Sequence, residues 1–235
     1  MSVPFFYCSN YTAGQQQITL DEDTSKHIVQ VLRMDSGKPI NLTDGKGHLL
    51  QCTIIDAHKK HCTVSVLHAT FTPATSNQIH IAIGLLKNSS RWEWFLEKAT
   101  EIGVSIITPL LTKRTEKDKF RFDRLQTICI SAMLQSQQVW LPQLQAPVLY
   151  DKFIDNTKAA LQLIAHCEEA KEKRSISTME LPKGETILLI GPEGDFTTEE
   201  ITLALNNKYV AVSLGDTRLR TETAGIVGAS LLCVR

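Results

Sequence analysis

Apolar and polar residues alternate along "HLLQCTII" (48–55) and "CTVSVL" (62–67). That period of two predicts strands with one buried face. The turn-rich "TDGKG" (43–47) precedes them, so this part of the chain reads as a β meander or small barrel. One helix interrupts it, over "TSKHIVQVLR" (24–33), with Ile28, Val31 and Leu32 spaced to share an inner face. "FTPATSN" (71–77), with Pro73 among small polar residues, predicts a boundary between a first domain of residues 1–72 and a second of 73–235.

Beyond that boundary the pattern changes. "IHIAIGLL" (79–86) is a near-continuous apolar run, as a strand covered on both faces requires. Trp92, Phe95, Leu96, Ala99 and Ile102 then recur at helical spacing, and Gly103 is placed to end that helix in a left-handed conformation. A strand over "VSIITPLL" follows, then an amphipathic helix within 121–138 through Phe122, Leu125, Ile128, Cys129 and Ala132. The strands "LQLIA", "ETILLI" and "VAVSL" alternate with further helical stretches. Alternating βαβ units predict an α/β fold with a parallel sheet, whose ligands bind beyond the carboxyl ends of the strands.

Charge and cysteine content narrow the chemistry. The 25 basic and 25 acidic side chains balance, so only a local patch can attract a polyanion. Six scattered cysteines without a CxxC pair, together with the lack of an apolar leader, predict reduced thiols and a cytoplasmic location. No apolar run is long enough to predict a membrane span. Five of the seven histidines (His27, His48, His58, His61, His68) lie near Cys52 and Cys62, yet their spacings match no closed zinc pattern, so no metal site is expected.

Three loops lie where a parallel sheet would place a site. After "ETILLI" comes "GPEGDF" (191–196), then Thr197 and Glu200 at capping-box spacing. Gly191 and Gly194 allow close backbone approach, Pro192 stiffens the turn, and the exposed N–H groups of a helix start suit polar ligand atoms. No Lys-Ser or Lys-Thr follows the glycines, which excludes a nucleotide P-loop, and "GKG" (45–47) sits in a hairpin rather than between strand and helix. The second loop, "LGDTRLRTETA" (214–224), sets Asp216, Arg218, Arg220 and Glu222 between a buried strand and an apolar helix. Small residues Gly225, Gly228 and Ala229 on that last helix imply close packing, either within the fold or against a second subunit. The third, "KRTEKDKFRFDR" (113–124), carries six basic against three acidic side chains, a local surplus suited to phosphate.

"IGPEGDFTTEEI" and "VSLGDTRLRTETA" together resemble the RsmE family of ribosomal RNA methyltransferases, of the SPOUT class with a trefoil knot. "HIVQVLRMDSGKPINLTDGKG", "KNSSRWEWFLEKATEIGV", "PLLTKRTEK" and "AMLQSQQVWLP" continue the resemblance in order along the chain. It implies a knotted α/β domain, a small amino-terminal PUA-like β-barrel that binds RNA, and a homodimer. It also implies an S-adenosylmethionine pocket at Ile190, Gly191, Pro192, Glu193 and Gly194, at Ser213, Leu214 and Gly215, and at Leu219 and Arg220. The reaction would be methylation of uridine N3 in small-subunit rRNA within an assembled particle. Arg220 would then stabilise the developing uridinate, Glu222 or Glu193 would accept the N3 proton, and Arg33, Lys113, Arg114 and Gln138 would contact RNA. Two alternatives stay open: a SPOUT methyltransferase for another nucleotide, and a non-catalytic RNA-binding assembly factor. Three positions depart from the family's pattern: Asp195 replaces a common third glycine, while Leu134 and Gln138 stand where an acid and an arginine are common.

Overall fold

The computed structural model describes residues 3–116, 119–168 and 172–234. They form two compact units, one built from residues up to Ala74 together with Met133–Leu141, the other from Thr75–Ala132 and from Pro142 onward.

In the first unit, strands β1 (Phe5–Tyr7), β2 (Gln17–Thr19), β3 (Pro39–Thr43), β4 (His48–Asp56) and β5 (Thr63–Phe71) form one sheet in the order β1-β3-β4-β5-β2. β1 runs parallel to β3 and the remaining pairs are antiparallel. The alternating positions Ile40, Leu42, Leu50, Cys52, Ile54 and Val64 fill its core, with Ile18 and Ile28. The helix expected over 24–33 starts two residues earlier and ends at Val31: α1 (Glu22–Lys26) passes directly into a π-helical turn, His27–Val31. There the Leu32 N–H bonds the His27 carbonyl, five residues back. Ile28 is buried and Val29 packs beside it, whereas Val31 and Leu32, expected on the inner face, are exposed: the wider turn carries Val31 away from Ile28, and Leu32 lies past the last helical residue. The hairpin turn between β3 and β4 is closed by the Asp44 carboxylate, which accepts from the N–H groups of Lys46 and His48. The strip from 139 to 141 lies along this turn: Gly47 N–H bonds the Val139 carbonyl and Leu141 N–H bonds that of Gly45.

The second unit carries β6 (Asn77–Gly84), α2 (Ser89–Ile102), β7 (Ile106–Leu111), α3 (Phe122–Gln135, whose last turn belongs to the first unit), β8 (Gln143–Leu144), β9 (Val148–Leu149), α4 (Tyr150–Asn156), β10 (Leu161–Ala165), β11 (Arg174–Ser175), a 3-10 turn (Ile176–Thr178), β12 (Gly184–Ile190), α5 (Thr198–Asn206), β13 (Val210–Ser213) and α6 (Thr221–Cys233). The sheet order is β11-β13-β10-β12-β6-β7-β8, with β9 also on β7, and every pairing is parallel. Successive side chains point to opposite faces. Ala82, Ile187 and Leu189 therefore meet Tyr150, Phe153, Phe196 and Ile201 on one side. Ile83, Leu188 and Ile190 face α6 on the other, where α6 also packs on α2.

The small face of α6 is used within the fold. A Cβ on Gly225 would lie 2.6 Å from a ring carbon of the fully buried Phe95, and one on Gly228 would overlap a methyl of the fully buried Leu188. Helix propensity alone would make alanine better than glycine at both positions by about 1 kcal/mol. Overpacking opposes that gain and outweighs it, so Gly225→Ala and Gly228→Ala should each destabilise the protein by about 1–3 kcal/mol in urea unfolding. A stabilised variant would show that α6 has room to move away.

Candidate functional site

Parallel register brings three loops to one place. Ala165 on β10 pairs with Ile190 on β12 and with Val212 on β13, so these strands end level with one another. The loops that leave them line a cavity of about 710 Å³, bounded by 165–167, 190–193, Asp195 and 212–222, with Arg91, Lys173 and Ala224. A volume of this size suits a small-molecule ligand.

The turn from β12 into α5 is held from several sides. Thr197 and Glu200 form the expected capping box, and the second carboxylate oxygen of buried Glu200 accepts from the Lys113 N–H. Asp195 adopts a left-handed conformation (φ +63°), which a glycine would take without strain. Its carboxylate accepts from the Cys167 N–H at 2.7 Å and from its neighbour Phe196 N–H at 2.8 Å, tying the turn to the end of β10. Arg114 donates to the carbonyls of Gly194 and Phe196. Glu193 is exposed and accepts from the Lys87 N–H at 3.1 Å.

On the opposite wall, α6 begins at Arg220, whose exposed side chain lines the cavity. Two residues on, Glu222 is buried. Its Oε1 lies 3.6 Å from Nε of Arg91 in the first turn of α2, an ion-pair distance too long for a hydrogen bond. Its Oε2 is buried with no hydrogen-bond partner among the described residues.

Arg220, Glu222 and Glu193 thus line one cavity, as do Ile190, Gly191, Pro192, Ser213, Leu214, Gly215 and Leu219. Gly194 does not line it and faces the Arg114 side chain instead. Lys113 and Arg114 belong to the same unit but are spent partly on the turn; Arg33 and Gln138 belong to the first unit. Lys117 and Asp118 of the basic loop lie outside the described residues. Arg91, Lys173 and the stretch 165–167 also line the cavity, and the sequence reading missed them. For Arg91 the only signal was its place beside the apolar stripe of α2, which says nothing about a partner 131 positions away. Cys167 is a poor nucleophile: partial desolvation, and then the Asp195 carboxylate, push its thiol above the ordinary range.

A family model described as an RNA methyltransferase domain matches residues 73–233, and one described as an RNA methyltransferase PUA domain matches 20–67. The ribosomal RNA small subunit methyltransferase E of Synechocystis is 29% identical over 219 residues, covering 89% of this chain and 70% of its own. The chain belongs to the RsmE family of RNA methyltransferases. Among solved structures, a probable rRNA methyltransferase from Porphyromonas gingivalis is 37% identical with a TM-score of 0.88, covering 97% of this chain and 96% of that one. A ribosomal RNA small subunit methyltransferase E from Neisseria gonorrhoeae, solved with S-adenosylmethionine, is 27% identical with a TM-score of 0.87 over 97% and 96% of the two chains.

The backbone at Asp195 yields a test. Asp195→Gly loses two hydrogen bonds but relieves the left-handed conformation, whereas Asp195→Ala loses the same bonds and keeps the strain. Asp195→Ala should therefore be the less stable of the two by about 1 kcal/mol in thermal unfolding. Equal stability would mean that the turn relaxes out of the left-handed region.

Proposed function

We propose that this chain transfers a methyl group from S-adenosylmethionine to N3 of a uridine in small-subunit ribosomal RNA, acting in the cytoplasm as a homodimer on an assembled particle. Methyl transfer by residues 73–235 and RNA binding by 1–72 is the division of labour proposed. The observation that carries the reading is a cavity formed by three strand-end loops with, on its wall, a buried carboxylate oxygen of Glu222 that has no hydrogen-bond partner among the described residues. Family membership and the S-adenosylmethionine named with the Neisseria relative supply the cofactor.

The cavity fits that cofactor. Its volume of about 710 Å³ lies in the range of small-molecule sites. Ile190, Gly191, Pro192, Ser213, Leu214, Gly215 and Leu219 would hold it largely through backbone, with Glu193 at the rim; Gly194 would act through its contact with Arg114. When bound it supplies a methyl group on a sulfonium sulfur, whose bonding electrons return to sulfur as the methyl leaves. The chain's own task is to orient uracil and manage one proton. Uridine N3 becomes nucleophilic when it loses its proton. Glu222 is the better acceptor, since it is buried with Oε2 unpaired, whereas Glu193 is exposed and already accepts from Lys87. Arg220 donates to the base oxygens as negative charge develops there. Lys113, Arg33 and Gln138 contact RNA, and Arg114 serves first to brace the turn.

Mass-spectrometric mapping of small subunits from cells lacking the gene, before and after incubation with purified protein and S-adenosylmethionine, should show one N3-methyluridine restored. A mark on another base would favour a different nucleotide, and cofactor binding absent altogether would favour an assembly factor. Arg220→Ala and Glu222→Gln should each lower the methyl-transfer rate by about 10²-fold or more while leaving cofactor affinity largely intact. Wild-type turnover in either would remove that residue's role. Sedimentation of the purified chain should give a dimer; a monomer active on subunits would remove the dimer from the proposal.

A further inference from the structure

We propose that Arg91 and Glu222 act as a donor–acceptor pair that reads the imide edge of uracil and so selects uridine against cytidine, an inference that rests on the uridine-N3 reading above. The two residues begin different helices and converge because α2 and α6 pack together. Arg91 lines both the main cavity and a smaller adjoining one of about 590 Å³ walled by Lys87, Asn88, Ser89, Glu116 and Glu193. Its side chain is 40% exposed, so the guanidinium is accessible to something entering from that side; that of Glu222 is only 9% exposed.

The 3.6 Å separation leaves the hydrogen-bonding capacity of both groups unspent. A guanidinium offers only donors and a carboxylate only acceptors. A buried carboxylate oxygen without a donor is costly, and a ligand that supplies one removes that cost. Along its pairing edge uracil presents the acceptor O4, the donor N3–H and the acceptor O2. Glu222 Oε2 accepts from N3–H while Arg91 donates to the adjacent carbonyl oxygen. Cytosine presents O2 and N3 as acceptors and its amino group as donor, so its N3 lone pair would face the carboxylate. A site built around a substrate N–H rejects an analogue lacking it far more strongly than an apolar pocket rejects a missing methylene. As the N3 proton passes to Glu222, the electron pair of the N–H bond stays on the base and spreads to the oxygen that Arg91 holds. Arg91 thereby touches the reacting base as well as orienting Glu222.

The test uses small subunits from cells lacking the gene, carrying either the natural target uridine or a cytidine in its place. Single-turnover methyl transfer is followed against pH, and cofactor affinity is measured separately by calorimetry. Arg91→Ala should keep cofactor affinity within about two-fold, lower the transfer rate on uridine by about 10²-fold and shift its pH profile. Arg91→Lys should recover only part of the rate, since it restores charge without the planar fork. Glu222→Gln should lose uridine transfer and bind the cytidine-bearing subunit as well as the uridine-bearing one, because the amide can turn an N–H toward cytosine N3. Unchanged rate and base preference in Arg91→Ala would overturn the pairing, as would a loss explained wholly by weaker cofactor binding. If the wild-type protein instead marks a base other than uridine, the uridine reading fails and the inference with it. N3-methyluridine formed at wild-type rate by Arg91→Ala would sink the inference alone.

Discussion

Gly84 and Pro192 pass so closely that a Cβ on Gly84 would lie 2.6 Å from the Pro192 nitrogen, with no side chain between to yield. The contact lies just past the last β6–β12 pair, Ile83 and Ile190. The geometry of the site depends on that contact. It aims the turn at 191–196 so that Asp195 reaches the Cys167 N–H and Arg114 reaches the Gly194 and Phe196 carbonyls. A loop fastened to three neighbouring segments presents its backbone in one shape before any ligand arrives, which lowers the cost of binding.

The opposite wall is positioned by packing. Gly225 and Gly228 let α6 sit close to Phe95 and Leu188, and that depth buries Glu222 one turn earlier. A carboxylate in such a place is unfavourable to the fold, and the pairing with Arg91 offsets only part of the cost. Local rules broken side by side on one cavity wall point to a functional site. On this wall they are broken by a buried acid with an oxygen left over and by a non-glycine residue at positive φ.

In the first unit a polar side chain likewise fastens a turn. Asp44 closes the β3–β4 turn, pairs with His48 at 2.7 Å, and packs the hairpin against 139–141, where Trp140 donates to the Thr72 carbonyl. The histidines that looked suggestive in sequence are placed by different local contacts: His48 by Asp44, and His58 and His61 by stacking on each other with ring centroids 3.6 Å apart. The π-helical turn at His27–Val31 shows where periodicity misleads, because the wider turn rotates Val31 to the surface and the helix stops before Leu32, while the sequence spacing stays unchanged.

Periodicity and turn chemistry were enough to reveal the parallel sheet, the capping box at Thr197 and the helix end at Gly103, because each depends on residues within a few positions of one another. The loops "GPEGDF" and "LGDTRLR" were legible as candidate walls of a site for the same reason: both lie at strand ends next to helix starts. Their adjacency was settled by strand order. β10 sits between β12 and β13, and a period of two carries no information about which strands are neighbours. Arg91 and Glu222 meet through the packing of two helices, a contact set by small residues at Gly225 and Gly228 and by the bulk of Phe95. Local sequence therefore determined the elements and their polar loops, while long-range packing alone decided which charges face each other, because side chains far apart in the chain are paired only by the core between them.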